Sequence, residues 1–210
     1  MWTWTLNWGE IRHDLVIGSC PIRPTDIDEI HESAGVSAVL SLQTEDCRSA
    51  LGIDYSRLQE HASNRGLLLH NAPIRDFDVE DQRKRLPYAV GVLRQLISGH
   101  HRTYLHCTAG INRAPLVALA YLTFVEGVAV PDAVALVQRG RPEASPYWDA
   151  YHGCREDALA PRRAAVALRA WNLAKANPGE TPEGNWFRAE REVVKEVFGL
   201  DGTGAGRNGV

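Results

Sequence analysis

The segment from Arg102 to Val125 constrains the fold of this chain more than any other. It reads RTYLHCTAGINRAPLVALAYLTFV, which is a short apolar run, a loop with glycine and asparagine, and a longer apolar run. A short apolar run suits a buried strand, and the longer one suits a buried helix. A strand that passes through a tight loop into a helix is typical of α/β proteins with a parallel sheet.

Other strand and helix candidates extend this pattern in both directions. Strands are predicted at 14–19, 36–42 and 67–71, and helices at 25–34, 55–65, 83–98, 114–125 and 131–138. Thr25 is expected to cap the first helix, and Gly35 to end it. We therefore predict an α/β fold with a mostly parallel central sheet flanked by helices.

The C-terminal third has a different composition from the rest. It is rich in Ala and Arg, with helices expected at 156–175 and 186–198 before a glycine-rich end. We predict a main domain over residues 1–153, a C-terminal helical appendage packed on it over 154–198, and a disordered tail over 199–210.

Charge and cysteine content limit the partners and cellular compartments that are expected for this chain. The net charge is -3 and no run of Lys and Arg stands out, so nucleic acid is not an expected partner. The sequence shows no secretory leader and no stretch able to span a membrane, and its four cysteines lack CxxC or metal-ligand spacing. We expect a cytoplasmic protein with reduced thiols and no metal, cofactor or membrane partner.

The loop that starts at His106 joins a cysteine to an arginine six positions further on. A thiolate is a strong nucleophile, and backbone N–H groups that run into a helix N-terminus lower its pKa and bind anions. Arg113 adds a planar fork for two phosphate oxygens. Cys107 is thus predicted to attack a phosphate ester. The predicted phosphate-binding residues are Thr108, Ala109, Gly110, Ile111, Asn112 and Arg113.

Two residues of this loop are expected to shape its backbone. Gly110 allows close approach, and Asn112 tolerates the left-handed conformation that a tight loop requires. The competing interpretation is an inert buried Cys107 in a turn, with Arg113 on the surface.

The acidic segment RDFDVED, about thirty residues upstream, supplies candidates for the acid that such chemistry requires. Asp76 is the first choice and Asp78 the second. Asp81 is expected to be a solvated loop charge or a helix cap instead.

At these residues the chain resembles the dual-specificity branch of the protein tyrosine phosphatase superfamily. HCTAGINR carries the HCx5R pattern, and the resemblance runs from about Leu15 to Arg141. It implies a dual-specificity phosphatase catalytic domain within residues 1–153 and a phosphocysteine mechanism without metal.

A narrower resemblance is to the plant glucan (starch) phosphatases. RDFD, RKRLP and HCTAG followed by RAP are similar to that family over about Leu15 to Phe198, although Asn112 stands where the family has Gly. This resemblance implies phosphorylated α-glucan as the substrate, Asp76 as the acid, and Phe77 as a residue that lines the glucan channel. Many protein phosphatases of the superfamily have Ser or Thr where this chain has Ala114.

Aromatic side chains suit a sugar substrate, because a flat ring covers the apolar face of a pyranose. Phe77, Tyr147 and Trp148 are predicted to contact the substrate, with core packing as the alternative for the last two. Trp2, Trp4 and Trp8 are spaced as alternate residues of a strand are. They are expected either to pack an edge strand or to contact a glucan. Two other functions stay open: a protein phosphatase acting on phosphotyrosine, phosphoserine and phosphothreonine, and a non-catalytic scaffold that binds phosphate or glucan.

Overall fold

A computed structural model describes residues 4–200. Trp2 and residues 201–210 of the expected tail lie outside the described residues. The strands are β1 Trp8–Arg12, β2 Leu15–Gly18, β3 Ala38–Ser41, β4 Leu68–Asn71 and β5 Thr103–His106. They form one sheet in the order β1-β2-β5-β3-β4, in which β1 runs antiparallel to β2 and the other pairs are parallel. The mostly parallel sheet predicted from the sequence is confirmed.

Helices cover both faces of this sheet. They are α1 Pro24–Ala34, α2 Glu45–Ala50, α3 Tyr55–Asn64, α4 Val79–Ser98, α5 Arg113–Ala120, α6 Val130–Gly140, α7 Trp148–Leu159, α8 Arg163–Ala176 and α9 Pro182–Leu200. A π-helical turn, Tyr121–Val125, continues α5, and a 3-10 turn, Ala160–Arg162, joins α7 to α8. The short helix α2 was not predicted from the sequence.

Several helix bounds differ from the sequence-based expectation. The helix expected over 156–175 is two helices, α7 and α8, separated by a 3-10 turn that contains Pro161, and α9 begins at Pro182 and not at 186. Helix α1 begins at Pro24, so Thr25 lies inside the helix and is not its cap. Pro24 suits the first helical position because it lacks an N–H, and the Asp26 carboxylate accepts the preceding N–H groups. Helix α4 begins at Val79, earlier than expected, because the Asp78 carboxylate accepts the Asp81 N–H at 2.9 Å.

The sheet places alternate side chains of each strand in two separate apolar clusters. Leu105 of β5 packs in the cluster with α4 and α5, whereas Tyr104 packs in the cluster with α1 and α3. Strand β5 is central, and its carboxyl end passes directly into the loop that precedes α5. Ligands of open α/β sheets bind at this edge.

The C-terminal helices pack on the rest of the chain. In α9, Phe198 is buried and lies against Phe124, with ring centroids 4.9 Å apart. The domain boundary proposed at residues 153 and 154 falls inside α7, and Gly199, assigned to the tail, belongs to α9. Within residues 4–200, no helix has the length and apolar character needed to cross a bilayer.

Candidate active site

The loop of residues 107–112 forms a tight cradle at the carboxyl end of β5. Cys107 opens it and is 3% exposed. Gly110 adopts φ 72°, and a Cβ there would lie 2.5 Å from the Gly18 carbonyl oxygen, so the fold requires glycine at this position. The left-handed conformation expected for Asn112 is wrong, because its φ is -108°. The Asn112 side chain instead donates from Nδ2 to the Ser145 carbonyl at 3.0 Å.

The carbonyl groups of this loop all point toward the scaffold, where each has a donor. The Cys20 N–H donates to the Thr108 carbonyl at 3.0 Å, and the Ser145 N–H donates to the Ile111 carbonyl at 2.7 Å. The Asn112 carbonyl accepts the N–H of α5 residue Leu116.

Arg141, at the end of α6, holds the centre of the loop from outside. Its buried guanidinium donates from Nη2 to the Ala109 carbonyl at 2.7 Å and from Nε to the Gly110 carbonyl at 3.2 Å. These bonds fix the orientation of two successive peptide groups. Sequence reasoning missed this residue, and no local motif distinguishes it from other arginines.

With the carbonyls turned outward, the loop N–H groups face the cradle. The Gly110 N–H donates to the Cys107 Sγ at 3.3 Å. The N–H groups of Thr108, Ala109, Ile111 and Asn112 have no protein acceptor within residues 4–200. Such a ring of backbone donors at a helix N-terminus is a site for an anion with several oxygens.

Arg113 lies fully buried beneath the cradle. Its Nη1 donates to the Ile74 carbonyl at 3.0 Å, and its Nη2 donates to the Thr108 Oγ1 at 3.1 Å and to the Asp76 carboxylate at 2.6 Å. Its buried Nε has no partner within the described part of the chain. Buried donors are nearly always paired, so this atom suits an oxygen of a bound anion.

The charges around Arg113 keep its guanidinium protonated. Burial lowers the pKa of Arg113, but nearby Cys107, Asp76 and Cys47 raise it, and the net pKa shift is upward. The competing interpretation, in which Arg113 lies on the surface, is wrong, because Arg113 is buried.

The structure separates the acid candidates by position. Asp76 reaches the cradle through its contact with Arg113 and keeps 27% of its side chain exposed. Asp78 caps α4, whereas Asp81 accepts the Arg75 N–H at 2.7 Å. Asp76 is thus the carboxylate placed beside the thiol loop.

His106 supports the loop from the core side. It is buried, and its Nδ1 lies 2.8 Å from the Cys107 carbonyl, to which it donates. Burial lowers the pKa of His106 to about 4, with a smaller contribution from Arg113. The ring is therefore neutral near pH 7 and serves as a hydrogen-bond donor.

A second cysteine, which sequence reasoning left without a role, borders the cradle. The Cys47 Sγ accepts hydrogen bonds from Thr44 Oγ1 at 3.3 Å and Arg113 Nη1 at 3.4 Å. Burial raises the pKa of Cys47, but these hydrogen bonds outweigh it and the net pKa shift is downward. Burial raises the pKa values of Cys20 and Cys154 to about 12. Thr44 as a helix cap three residues before Cys47 was the available signal.

The predicted aromatic contacts lie in different settings. Phe77 is 82% exposed beside Asp76 and has φ 58°, a strained conformation for an aromatic residue. Tyr147 is half-buried against the main core. Trp148 lies with its ring centroid 5.5 Å from that of Tyr151. Contact of these three side chains with substrate stays a prediction.

No cluster of three or more His, Cys, Asp or Glu side chains able to hold a metal ion occurs between residues 4 and 200.

The sequence is similar to those of known phosphatases. The chain is 38% identical over 168 residues to the "Phosphoglucan phosphatase DSP4, amyloplastic" of Castanea sativa, covering 79% of this chain and 44% of that protein. It is 29% identical over 168 residues to the "Phosphoglucan phosphatase LSF1, chloroplastic" of Arabidopsis thaliana, covering 80% of this chain and 26% of that protein. The chain thus spans less than half the length of these curated relatives.

The fold is also similar to that of solved protein structures. The human tyrosine phosphatase-like serine/threonine/tyrosine-interacting protein superposes with a TM-score of 0.58 at 18% identity, over 73% of this chain and 97% of that one. The model of the dual specificity phosphatase catalytic domain matches residues 25–151, which include the cradle, Asp76 and Arg141. This match covers more than half of the chain, which therefore belongs to the dual specificity phosphatase family.

Proposed function

We propose that this protein hydrolyses phosphate monoesters on phosphorylated α-glucan through a phosphocysteine intermediate. The observation that carries the proposal is the orientation of the loop: its carbonyls are bonded outward, and its N–H groups and the Arg113 Nε are left for a phosphate. The thiol of Cys107 lies at the base of the same loop. A phosphate held there has its phosphorus in line for attack by sulfur.

In the first step, the Cys107 thiolate attacks phosphorus and forms an S–P bond while the ester P–O bond breaks. The electron pair of that bond stays on the sugar oxygen, which takes a proton from Asp76. The loop N–H groups and Arg113 neutralise charge on the phosphoryl oxygens. The products of this step are the free sugar hydroxyl and the phosphocysteine.

In the second step, water attacks the phosphocysteine. Asp76, now ionised, takes a proton from that water, an O–P bond forms, and the S–P bond breaks to return the thiolate. Inorganic phosphate leaves, and the next cycle begins once it has been exchanged for substrate. Ala114 supplies no hydroxyl to the departing sulfur, so this step is proposed to be the slower one.

Two observations support glucan as the substrate class. The relatives in Castanea sativa and Arabidopsis thaliana are named phosphoglucan phosphatases. Phe77, next to Asp76, presents an exposed ring at the edge of the cradle, where it can cover the apolar face of a glucosyl unit. Phe77 has a strained backbone, and strained residues cluster at functional sites, which supports a functional role for the position of its ring.

The test is phosphate release from phosphorylated starch or glycogen beside release from phosphopeptides, with Cys107→Ser as the control for the thiol. Faster release from glucan supports the proposal, and Phe77→Ala should then lower the rate on glucan more than the rate on a small aryl phosphate. Faster release from peptides would instead indicate a dual-specificity protein phosphatase. No release from either substrate by the wild-type protein would favour a binding scaffold.

A cytoplasmic location also remains a proposal, supported by four cysteines that are all free in the structure. The relatives named above are described as amyloplastic and chloroplastic. Imaging of a fluorescent fusion in the source cell would decide between the compartments.

A further inference from the structure

A cavity of about 330 Å³ lies where the catalytic domain meets the C-terminal helices. The π-helical turn, the segment 128–131, α7 and α9 all contribute to its walls. None of its lining residues belongs to the thiol loop or to the acidic segment. This volume lies within the range of small-molecule sites.

The floor of the cavity is built by the π-helical turn. Thr123 and Phe124 of this turn line it together with Tyr151 of α7. The Thr123 hydroxyl donates to the Leu119 carbonyl at 2.8 Å, so the Tyr151 hydroxyl, also at 2.8 Å, donates to Thr123. The polar atoms of the floor are therefore satisfied. A π-helical turn inside a helix frequently marks a functional site.

The rim of the cavity exposes apolar side chains to solvent. Phe187 of α9 is 59% exposed, and Val130 at the start of α6 is 39% exposed. Val194 and Phe124 line the interior with buried apolar surface. Exposed apolar groups gathered around a cavity indicate that an apolar body can be buried there.

The charged residues at the rim favour a ligand with a negative charge. Arg155 is neutralised by Glu190, with 2.7 Å between Nη2 and the carboxylate. Arg191 also lines the cavity, and no carboxylate in residues 4–200 forms an ion pair with its guanidinium. An anion entering the cavity would provide the partner that Arg191 lacks.

We propose that this cavity is a second ligand site, which binds an organic anion with an apolar, ring-containing body. The rings lie against Phe124, Phe187 and Val194, and the acidic group pairs with Arg191. Nothing in the phosphatase mechanism uses these residues.

A matched pair of fluorescent probes tests both parts of the proposal. 8-Anilinonaphthalene-1-sulfonate has an aromatic body and one negative charge, and N-phenyl-1-naphthylamine has the same body without the charge. The full chain should bind the sulfonate saturably at one site, and about fivefold more tightly than the neutral probe, as expected for one ion pair of about 1 kcal/mol with the exposed Arg191.

Variants on α9 assign the site. Arg191→Ala should weaken the sulfonate about fivefold and leave the neutral probe unchanged, whereas Phe187→Ala should weaken both. Arg188→Ala is the matched control, because Arg188 lies on the same helix, pairs with Glu192 and does not line the cavity. The unfolding midpoint of each variant confirms that it is folded.

Equal affinity of the wild-type protein for the two probes would overturn the choice of an anion. Sulfonate binding that does not saturate, or that Phe187→Ala and Arg188→Ala change alike, would overturn the site itself. The wild-type comparison requires no variant, so the proposal remains falsifiable if a substitution unfolds the protein.

Discussion

The carboxylate of Asp76 lies 2.6 Å from the Nη2 of Arg113, which is buried under the thiol loop. This contact holds the proposed acid at the edge of the cradle before substrate arrives. In its ionised form, Asp76 competes with a phosphate for the guanidinium fork. In the mechanism proposed above, the form of Asp76 that donates to the leaving group carries no charge and leaves the guanidinium fork to the phosphate.

Replacing Asp76 by Asn should slow the first chemical step in a way that depends on the leaving group. An amide cannot protonate a departing alkoxide, so kcat/KM on a sugar phosphate, which reports the first step alone, should fall by about 10²- to 10³-fold. On para-nitrophenyl phosphate, whose leaving group is stable as an anion, the loss in kcat/KM should be much smaller. Steady-state kcat/KM values on the two substrates measure the difference.

Asp78→Asn is the matched control for this prediction. Asp78 caps α4, and asparagine is also a good cap, so both stability and turnover should change little. If the loss depended on the leaving group in Asp78→Asn and not in Asp76→Asn, the acid would be Asp78 and not Asp76.

Replacing Arg141 by Met should weaken phosphate binding without removing the acid. The Ala109 and Gly110 carbonyls would lose their donors, and the peptide groups that aim N–H at the phosphate would become free to turn. We expect the inhibition constant of inorganic phosphate to rise about tenfold or more, with the leaving-group dependence unchanged. Arg141→Lys should be intermediate, because one ammonium group cannot span both carbonyls as the guanidinium does.

Glu143→Gln serves as the control for this variant. Glu143 is an exposed partner of Arg141 at 4.0 Å, so its loss should leave phosphate inhibition as it is. A rise in the inhibition constant equal to that of Arg141→Met would show that the surface charge, and not the carbonyl contacts, positions the loop.

The pH dependence of stability should report on His106. Its pKa in the folded protein is about 4, below the value of about 6.5 in an unfolded chain. The unfolded state therefore binds more protons between these values, so stability is complete above pH 6.5 and is lost as the pH falls toward 4. From pH 6.5 to 5 the loss should be about 2 kcal/mol.

Denaturant unfolding at several pH values measures this loss, with His106→Asn as the comparison, since its amide can donate to the Cys107 carbonyl without titrating. Carboxylates with lowered pKa values, such as Asp28 and Asp157, contribute at lower pH. If the free energy of unfolding changed equally with pH in the wild type and in His106→Asn above pH 5, the loss of stability could not be assigned to His106.

Much of the fold could be predicted because its signals are local. Apolar runs marked the strands, and Gly35, which adopts φ 64°, ended α1 as expected. The proposed nucleophile and its arginine could be predicted for the same reason, since Cys107 and Arg113 lie in one short segment between a strand and a helix.

The supporting contacts could not be predicted, because they join segments far apart in the sequence. Arg141 is 32 residues from Ala109, and Cys47 is 66 residues from Arg113. Asn112 shows how a tertiary contact overrides local preference, since its bond to Ser145 holds it outside the left-handed region that its residue type tolerates. Only packing of the sheet and helices reveals such partners.

Ala114→Ser should accelerate the second chemical step. Ala114 is buried at the start of α5, next to Arg113, and offers no hydroxyl to the sulfur that departs from phosphorus. A serine hydroxyl that hydrogen-bonds the thiolate would stabilise it by about 0.5 to 1.5 kcal/mol, or roughly two- to tenfold in rate. Rapid-quench measurement of the phosphocysteine should show faster decay and unchanged formation, with Ala114→Val as a control that adds bulk without a hydroxyl. Decay at the wild-type rate in Ala114→Ser would mean that another group already stabilises the departing thiolate. The first candidate is the Gly110 N–H, whose nitrogen lies 3.3 Å from the Cys107 Sγ.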